Sequence, residues 1–192
     1  MLLFAGLGNP GPAYARHRHN VGFMAVDAIH AAHGFSPWKS RFQGLVAEGR
    51  LADARVLLLK PMTFMNESGR SVGEALRFLK LGTSALTVFH DELDLQPLRV
   101  KVKTGGGAAG QNGVRSIIAH ADAGFRRVRI GIGHPGHKDR VTAHVLGNWA
   151  KAEEVPLQNL LADIADLAPL LASGEDMRFM NDLALRQQTG ED

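Results

Sequence analysis

The run LLFAGLG at residues 2–8 constrains the fold more than any other stretch. It is too short for an amphipathic helix and shows no polar alternation, so it reads as a buried strand ending in a glycine-rich turn. A strand without a wet face needs cover on both sides, and the rest of the chain supplies it. Val21, Met24, Ala28 and Ala31 follow Asn20 at helical spacing, with Asn20 suited to cap the helix start and Gly34 to end it. Residues 43–49 and 55–60 read as two strands of a hairpin joined by LADA, and Pro61 ends the second. A helix opens at Asn66 or Glu67 and runs to Leu81 on Val72, Ala75, Leu76 and Leu79. Residues 86–90 are another buried strand, 99–103 alternate basic and apolar, and GGGAAGQNG opens a helix over 113–120. RRVRIGIG is a further strand with Val128, Ile130 and Ile132 inward. From Glu153 an amphipathic helix runs on Leu157, Leu160, Ile164, Leu167 and Leu171, with a kink expected at Pro169, and a last helix covers 175–186. With no repeat, linker or low-complexity tract, the pattern predicts an α/β fold in one domain over residues 1–192. Its mixed central sheet is flanked by helices, and its last few residues are expected to fray.

Composition narrows the classes. At 45% hydrophobic and 21% charged residues, the 192-residue chain can bury a sizeable core, which excludes general disorder. The absence of cysteine excludes a disulfide framework, a Cys-ligated zinc and a thiol nucleophile, and it suits a reducing cytoplasm. No apolar stretch approaches the ~18 residues of a membrane span, and no basic segment precedes the short apolar run at the N-terminus. A cytoplasmic protein without a membrane partner is expected. The net charge of +3 hides an asymmetry: residues 99–140 hold nine Lys/Arg against two acids, and residues 151–192 hold three against nine. That distribution allows one face to meet a polyanion, although a mosaic of solvated charges accounts for it equally well.

Several motifs carry chemistry. GLGNPG fits the dinucleotide fingerprint after a strand, but the AYARHRHN that follows has no apolar stripe, and the acid expected ~20 residues on is missing. GGGAAG fits the same pattern, which shows how little the pattern selects. The backbone N–H groups of that second segment make a natural anion-binding turn beside basic neighbours. Histidines cluster as HRH at 17–19, HDELD at 90–94 and HPGH at 134–137, and a metal-dependent hydrolase can be drawn from them. A metal-free reading uses one His as general base and one carboxylate to hold it, with Asp91 just beyond the C-terminal end of a strand, where α/β sheets place active-site groups. With no Cys and no G-x-S-x-G elbow, an activated water is the expected nucleophile.

Taken in order, GLGNPGPAYARHRHNVG, KPMTFMNESG, HDELDL, and GGGAAGQNG followed by RRVRIGIGHPGHKD resemble bacterial peptidyl-tRNA hydrolase over residues 3 to about 148. The resemblance implies hydrolysis, without metal or cofactor, of the ester between a peptide and the 3′-terminal ribose of tRNA. It implies that His19 is the catalytic base, Asp91 the acid that keeps it basic, and Asn9 the residue that tells an N-blocked from a free aminoacyl group. Tyr14, Phe64, Asn66 and Asn112 match substrate-binding positions, with Met65 beside them in the cleft or as wall packing. Lys103, Arg129 and Lys138 match basic positions associated with tRNA, so the expected partner is peptidyl-tRNA, held by its acceptor end and backbone phosphates. No DNA partner is expected, and the protein is expected to act as a monomer.

Asparagine amides offer a donor and an acceptor without charge, which suits a peptide-like ester and its oxyanion; in glycine-rich turns Asn9 and Asn112 serve equally as turn residues. Two positions depart from the family pattern: Gln111 stands where His is common, and His17 where Thr is common. Gln111 cannot titrate, so proton transfer is not expected of it, and His17 places a second imidazole two residues from the expected base. The rival to an enzyme is a non-catalytic tRNA-binding module.

Overall fold

The computed structural model describes residues 1–190. Leu2–Gly6 forms β1, and its alternate side chains enter two separate cores: Phe4 on one face, Leu3 and Ala5 on the other. The other strands are β2 (Lys39–Arg41), β3 (Gly44–Leu51), β4 (Ala54–Pro61), β5 (Leu86–Glu92), β6 (Val100–Thr104) and β7 (Arg126–Gly131). They make one seven-stranded sheet in the order β2-β3-β4-β1-β5-β7-β6. The four middle strands, β4, β1, β5 and β7, are parallel, while β2, β3 and β6 run antiparallel to their neighbours. The expected mixed sheet is present.

Helices α1 (Val21–Ala32), α5 (Glu154–Ala172) and α6 (Asp176–Thr189) cover the face that holds Phe4, Phe89 and Val128. Helices α2 (Ser68–Leu79) and α3 (Asn112–His120) cover the other, against Leu3, Leu57, Leu59 and Val88. Burying such Leu, Val and Phe side chains stabilises by roughly 1.5–3 kcal/mol each, most of it offset by chain entropy. Two glycines let α1 sit hard against the sheet. A Cβ at Gly22 would lie 2.2 Å from the Phe89 carbonyl oxygen, and one at Gly6 the same 2.2 Å from that of Gly22. This close approach brings the turn before α1 over the ends of β1 and β5.

The structure departs from the sequence reading in several places. β2 was not expected, because three exposed polar residues carry no pattern; the Phe42–Gln43 turn that pairs it with β3 needs φ of 55° and 53°, values usual for Asn-Gly. A short helix α4 (Val141–Val145) follows the HPGH segment, where no periodicity could mark five residues. At Pro169, where a kink is expected, α5 continues to Ala172, and the Ala165 carbonyl, which Pro169 cannot bond, accepts from His33 Nε2 at 2.6 Å. Asn20 stands at the start of α1 but makes no side-chain cap. The expected fraying falls in part on 191–192, outside the described residues.

Candidate active site

Three parallel strands deliver their C-terminal ends to one cleft of about 260 Å³. β1 leads to Asn9, β4 to Met65 and Asn66, and β5 carries Asp91, which lies inside the strand rather than beyond it. His19 comes from the single 3₁₀ turn Arg18–Asn20 ahead of α1, and its Nδ1 lies 2.7 Å from Asp91 Oδ2. The two residues are 72 apart in the chain, so only the fold unites them. Asp91 is 3% exposed, and His19 lines the cleft. With Nδ1–H given to the carboxylate, Nε2 is left as the basic nitrogen.

The asparagines are held with equal care. Asn9 N–H donates to Asn20 Oδ1, and Asn20 Nδ2 donates back to the Asn9 carbonyl, both at 2.9 Å. The Met65 N–H donates to Asn9 Oδ1 at 2.7 Å, which fixes that amide with its oxygen occupied and its NH₂ left for the cleft. Asn9 therefore has its NH₂ free for the cleft and one of the two acceptor sites of its oxygen already engaged. Asn66 and Asn112 also line the cleft and are exposed, and Asn112 Oδ1 accepts from Arg115 Nη1 at 3.2 Å. Met65 is buried and forms wall, as one of its two readings held.

Gln111 completes the ring of contacts. Its Oε1 accepts from the Val114 N–H at 2.8 Å, capping α3, while its Nε2 donates to Asp91 Oδ1 at 2.9 Å and sits 3.3 Å from Met65 Sδ. Glu92, 3% exposed, also lines the cleft and pairs with Arg129 Nε at 2.9 Å. The far wall is Val141, Thr142, Val145 and Leu146. Arg18 lashes that wall to the turn that carries His19, its N–H bonding the Gly147 carbonyl at 2.9 Å and its Nη1 the His144 carbonyl at 3.2 Å.

Tyr14 and Phe64 stand outside the lining, edge to face with ring centres 6.0 Å apart. Phe64 is half exposed, with φ 62° and ψ 157°, a region that costs a non-glycine residue about 1–3 kcal/mol. His17 packs its ring edge-on to Tyr14 and pairs its backbone with Asn148, away from Asp91.

Lys103 and Lys138 are exposed. Cross-strand register puts Lys101 opposite Arg129 and Lys103 opposite Arg127, so the four share one face of the β6–β7 pair. Arg127 differs from the other three by its burial. At 2% exposure its guanidinium donates to the carbonyls of Gly106, Gly107 and Ala123 and stacks on Phe125. It shapes the glycine-rich loop from beneath. Burial and neighbouring Arg129 both work against its charge. His90, 3% exposed, gives Nδ1–H to the Asp91 carbonyl at 2.8 Å and leaves Nε2 without a partner; burial pushes its pKa below the ordinary value. Among the described residues, no three His, Cys, Asp or Glu side chains converge as metal ligands would. None of the described helices is long and apolar enough to cross a membrane.

Sequence reasoning passed over Asn20, Gln111, Glu92 and the α4 wall. Asn20 adjoins His19 in RHN, a signal that both serve one site; Gln111 opens a helix, a position where a side-chain acceptor is wanted.

A buried carboxylate holding an imidazole beside asparagine amides, at the ends of parallel strands, is an arrangement suited to a hydrolase. The family model described as Peptidyl-tRNA hydrolase matches residues 3–191. A curated peptidyl-tRNA hydrolase from Novosphingobium aromaticivorans is 65% identical over 189 residues, 98% of this chain and 99% of that one. Another, from Rhizorhabdus wittichii, is 66% identical over 186 residues, 97% and 98% of the two chains. The crystal structure of peptidyl-tRNA hydrolase from Acinetobacter baumannii superposes with a TM-score of 0.86 at 40% identity, covering 95% of this chain and 94% of that one. The chain belongs to the peptidyl-tRNA hydrolase family.

Proposed function

We infer that this chain hydrolyses the ester between a peptide and the 3′-terminal ribose of tRNA, with His19 as general base and Asp91 as its anchor. The observation that carries the roles is the 2.7 Å contact between His19 Nδ1 and Asp91 Oδ2 at the floor of the cleft. His19 Nε2 takes a proton from water as the oxygen attacks the ester carbonyl. The imidazolium that forms is stabilised by the Asp91 carboxylate. Charge develops on the former carbonyl oxygen, where the Asn9 NH₂ and the Asn66 amide are the nearby neutral donors. The tetrahedral intermediate collapses by expelling the ribose 3′-oxygen, which recovers a proton from His19, so that peptide acid and free tRNA leave. General-base action supplies roughly 10²–10⁴ in rate, and each aimed oxyanion donor about 3 kcal/mol.

Asn9 is the residue we assign to discrimination of the blocked amino terminus, because its free NH₂ donates to a peptide carbonyl and offers nothing to an ammonium. Tyr14, Phe64, Met65, Asn66 and Asn112 surround the acyl and terminal-nucleotide end. Lys103, Lys138 and the Glu92-paired Arg129 face the phosphates. One chain supplies every group of the cleft, which supports a monomer, and a cysteine-free chain acting on tRNA fits the cytoplasm. Single-turnover hydrolysis of N-acetylaminoacyl-tRNA by the wild-type and His19→Ala proteins tests the reading: cleavage by the first and almost none by the second is expected. Binding without cleavage by the wild type would make this a tRNA-binding module instead.

A further inference from the structure

We propose that Gln111 is a positioning residue for the His19–Asp91 pair, a single amide that locks the carboxylate and ties it to the start of α3. The inference rests on the dyad assigned above. Its geometry is unambiguous in chemical terms. The Val114 N–H can be met only by an oxygen, so the Gln111 amide must turn Oε1 to the helix and Nε2 to Asp91. Asp91 then has one donor on each oxygen, His19 on Oδ2 at 2.7 Å and Gln111 on Oδ1 at 2.9 Å. A carboxylate so held cannot rotate about its own axis without losing both bonds. The nine-residue α3 adds the positive end of its backbone dipole on the same side.

The ring of contacts has a second consequence. Gln111 Nε2 also touches Met65 Sδ at 3.3 Å, Met65 N–H holds Asn9 Oδ1, and Asn20 holds the Asn9 backbone next to His19. One amide thus joins the base and its anchor to the asparagine that faces the acyl group. Ionisable neighbours reach Asp91 from several elements: His19 from the turn before α1, His90 and Glu92 from β5 itself, and Arg129 from β7 behind Glu92. Gln111, reaching in from α3, does not titrate, so it holds the carboxylate equally at every working pH.

Three variants separate positioning from simple helix capping. Gln111→Met keeps volume and loses both bonds; Gln111→Ser restores a cap for α3 but is too short to reach Asp91; Gln111→Glu keeps length and replaces the donor with a second carboxylate. We expect kcat on N-acetylaminoacyl-tRNA to fall about ten-fold in the Met and Ser variants, with KM within about two-fold of wild type. With the second donor on Asp91 gone, the acid limb of the kcat profile is expected to move in both. The Glu variant should move it further. A thermal midpoint measured alongside removes loss of folding as an explanation, because Gln111→Ser is expected to melt near wild type. A Gln111→Ser protein with wild-type kcat and an unmoved acid limb would reduce the residue to a helix cap and overturn the proposal. His19→Ala belongs in the same series: if it stays fully active, the dyad assignment fails first, whereas an inactive His19→Ala beside unchanged Gln111 variants sinks this inference alone.

Discussion

Asn20 grips Asn9 by both backbone polar groups, taking its N–H on Oδ1 and giving its carbonyl an Nδ2–H, each at 2.9 Å. The two side chains therefore act in series: Asn20 fixes the backbone, and the backbone aims the Asn9 NH₂. Removing the first should blunt the second. Asn20→Ala is expected to cost about 2–4 kcal/mol of stability through two buried groups left unpaired. It should also narrow the ratio of kcat/KM between N-acetylaminoacyl-tRNA and free aminoacyl-tRNA. Asn9→Asp should narrow that ratio further, because one oxygen still serves the Met65 N–H and the other offers an anion to the ammonium. An undiminished ratio in both variants would take discrimination away from Asn9.

Asp91→Asn keeps the shape of the anchor and turns its charge off. The rate should drop by about 10²–10⁴, because an amide can hold the ring in the wrong tautomer and cannot stabilise an imidazolium. His17→Ala should stay within about three-fold of wild type, since that ring faces Tyr14 and not the carboxylate. Steady-state kinetics on one substrate decide both, and a dead His17 variant beside an active His19→Ala protein would reverse the assignment.

Salt dependence separates three of the four basic side chains on the β6–β7 face. Lys103→Ala should lower the slope of log affinity for tRNA against log salt by about one and leave kcat alone. Arg129→Ala should also lower kcat, because it strips Glu92 of its partner at the cleft wall. Arg127→Ala should leave the slope unchanged and cost at least about 2 kcal/mol, because three loop carbonyls lose their donor. Binding isotherms at several salt concentrations with melting curves alongside distinguish these outcomes.

His90 makes the fold sensitive to acid. Its folded pKa is pushed below the ordinary 6.5, chiefly by burial and against the pull of Asp91 and Glu92. As pH falls below about 6.5 the unfolded chain takes a proton that the folded chain resists, so stability held above that pH is lost below it. The melting temperature should decline from pH 6.5 towards 5, and His90→Gln should flatten the decline. An equally steep fall in that variant would assign the acid sensitivity elsewhere.

Legibility in the sequence followed physical scale. β1, β4 and β5 could be read because uninterrupted apolar runs admit few other structures, and α2 and α5 because their stripes are long. β2 and α4 could not, since three to five residues hold no period and are specified by a neighbouring strand or wall. The family motifs pointed to His19, Asp91 and Asn9 and to Asp91 as the partner of His19, but not to what holds Asp91 and Asn9. Asn20 has the chemistry of a helix cap and spends it on Asn9; Gln111 looked like a departure and is a bridge. Arg127 and Arg129 are identical in type and share a strand face, yet only the loop packed over β7 tells which one is buried. Such partnerships are decided by what arrives from elsewhere in the chain, and local pattern holds no record of it.

The cleft draws on residues 9, 19, 65, 91 and 111, carried by three adjacent strands and the starts of helices on both faces of the sheet. While this protein is being made it is itself a peptide esterified to tRNA, a molecule of the kind it would cleave. No early portion of the chain can gather those five groups, because β5 and the start of α3 must be in place before Asp91 has either of its donors. Those five groups can meet only after residues 1–111, more than half of the sequence, have been joined.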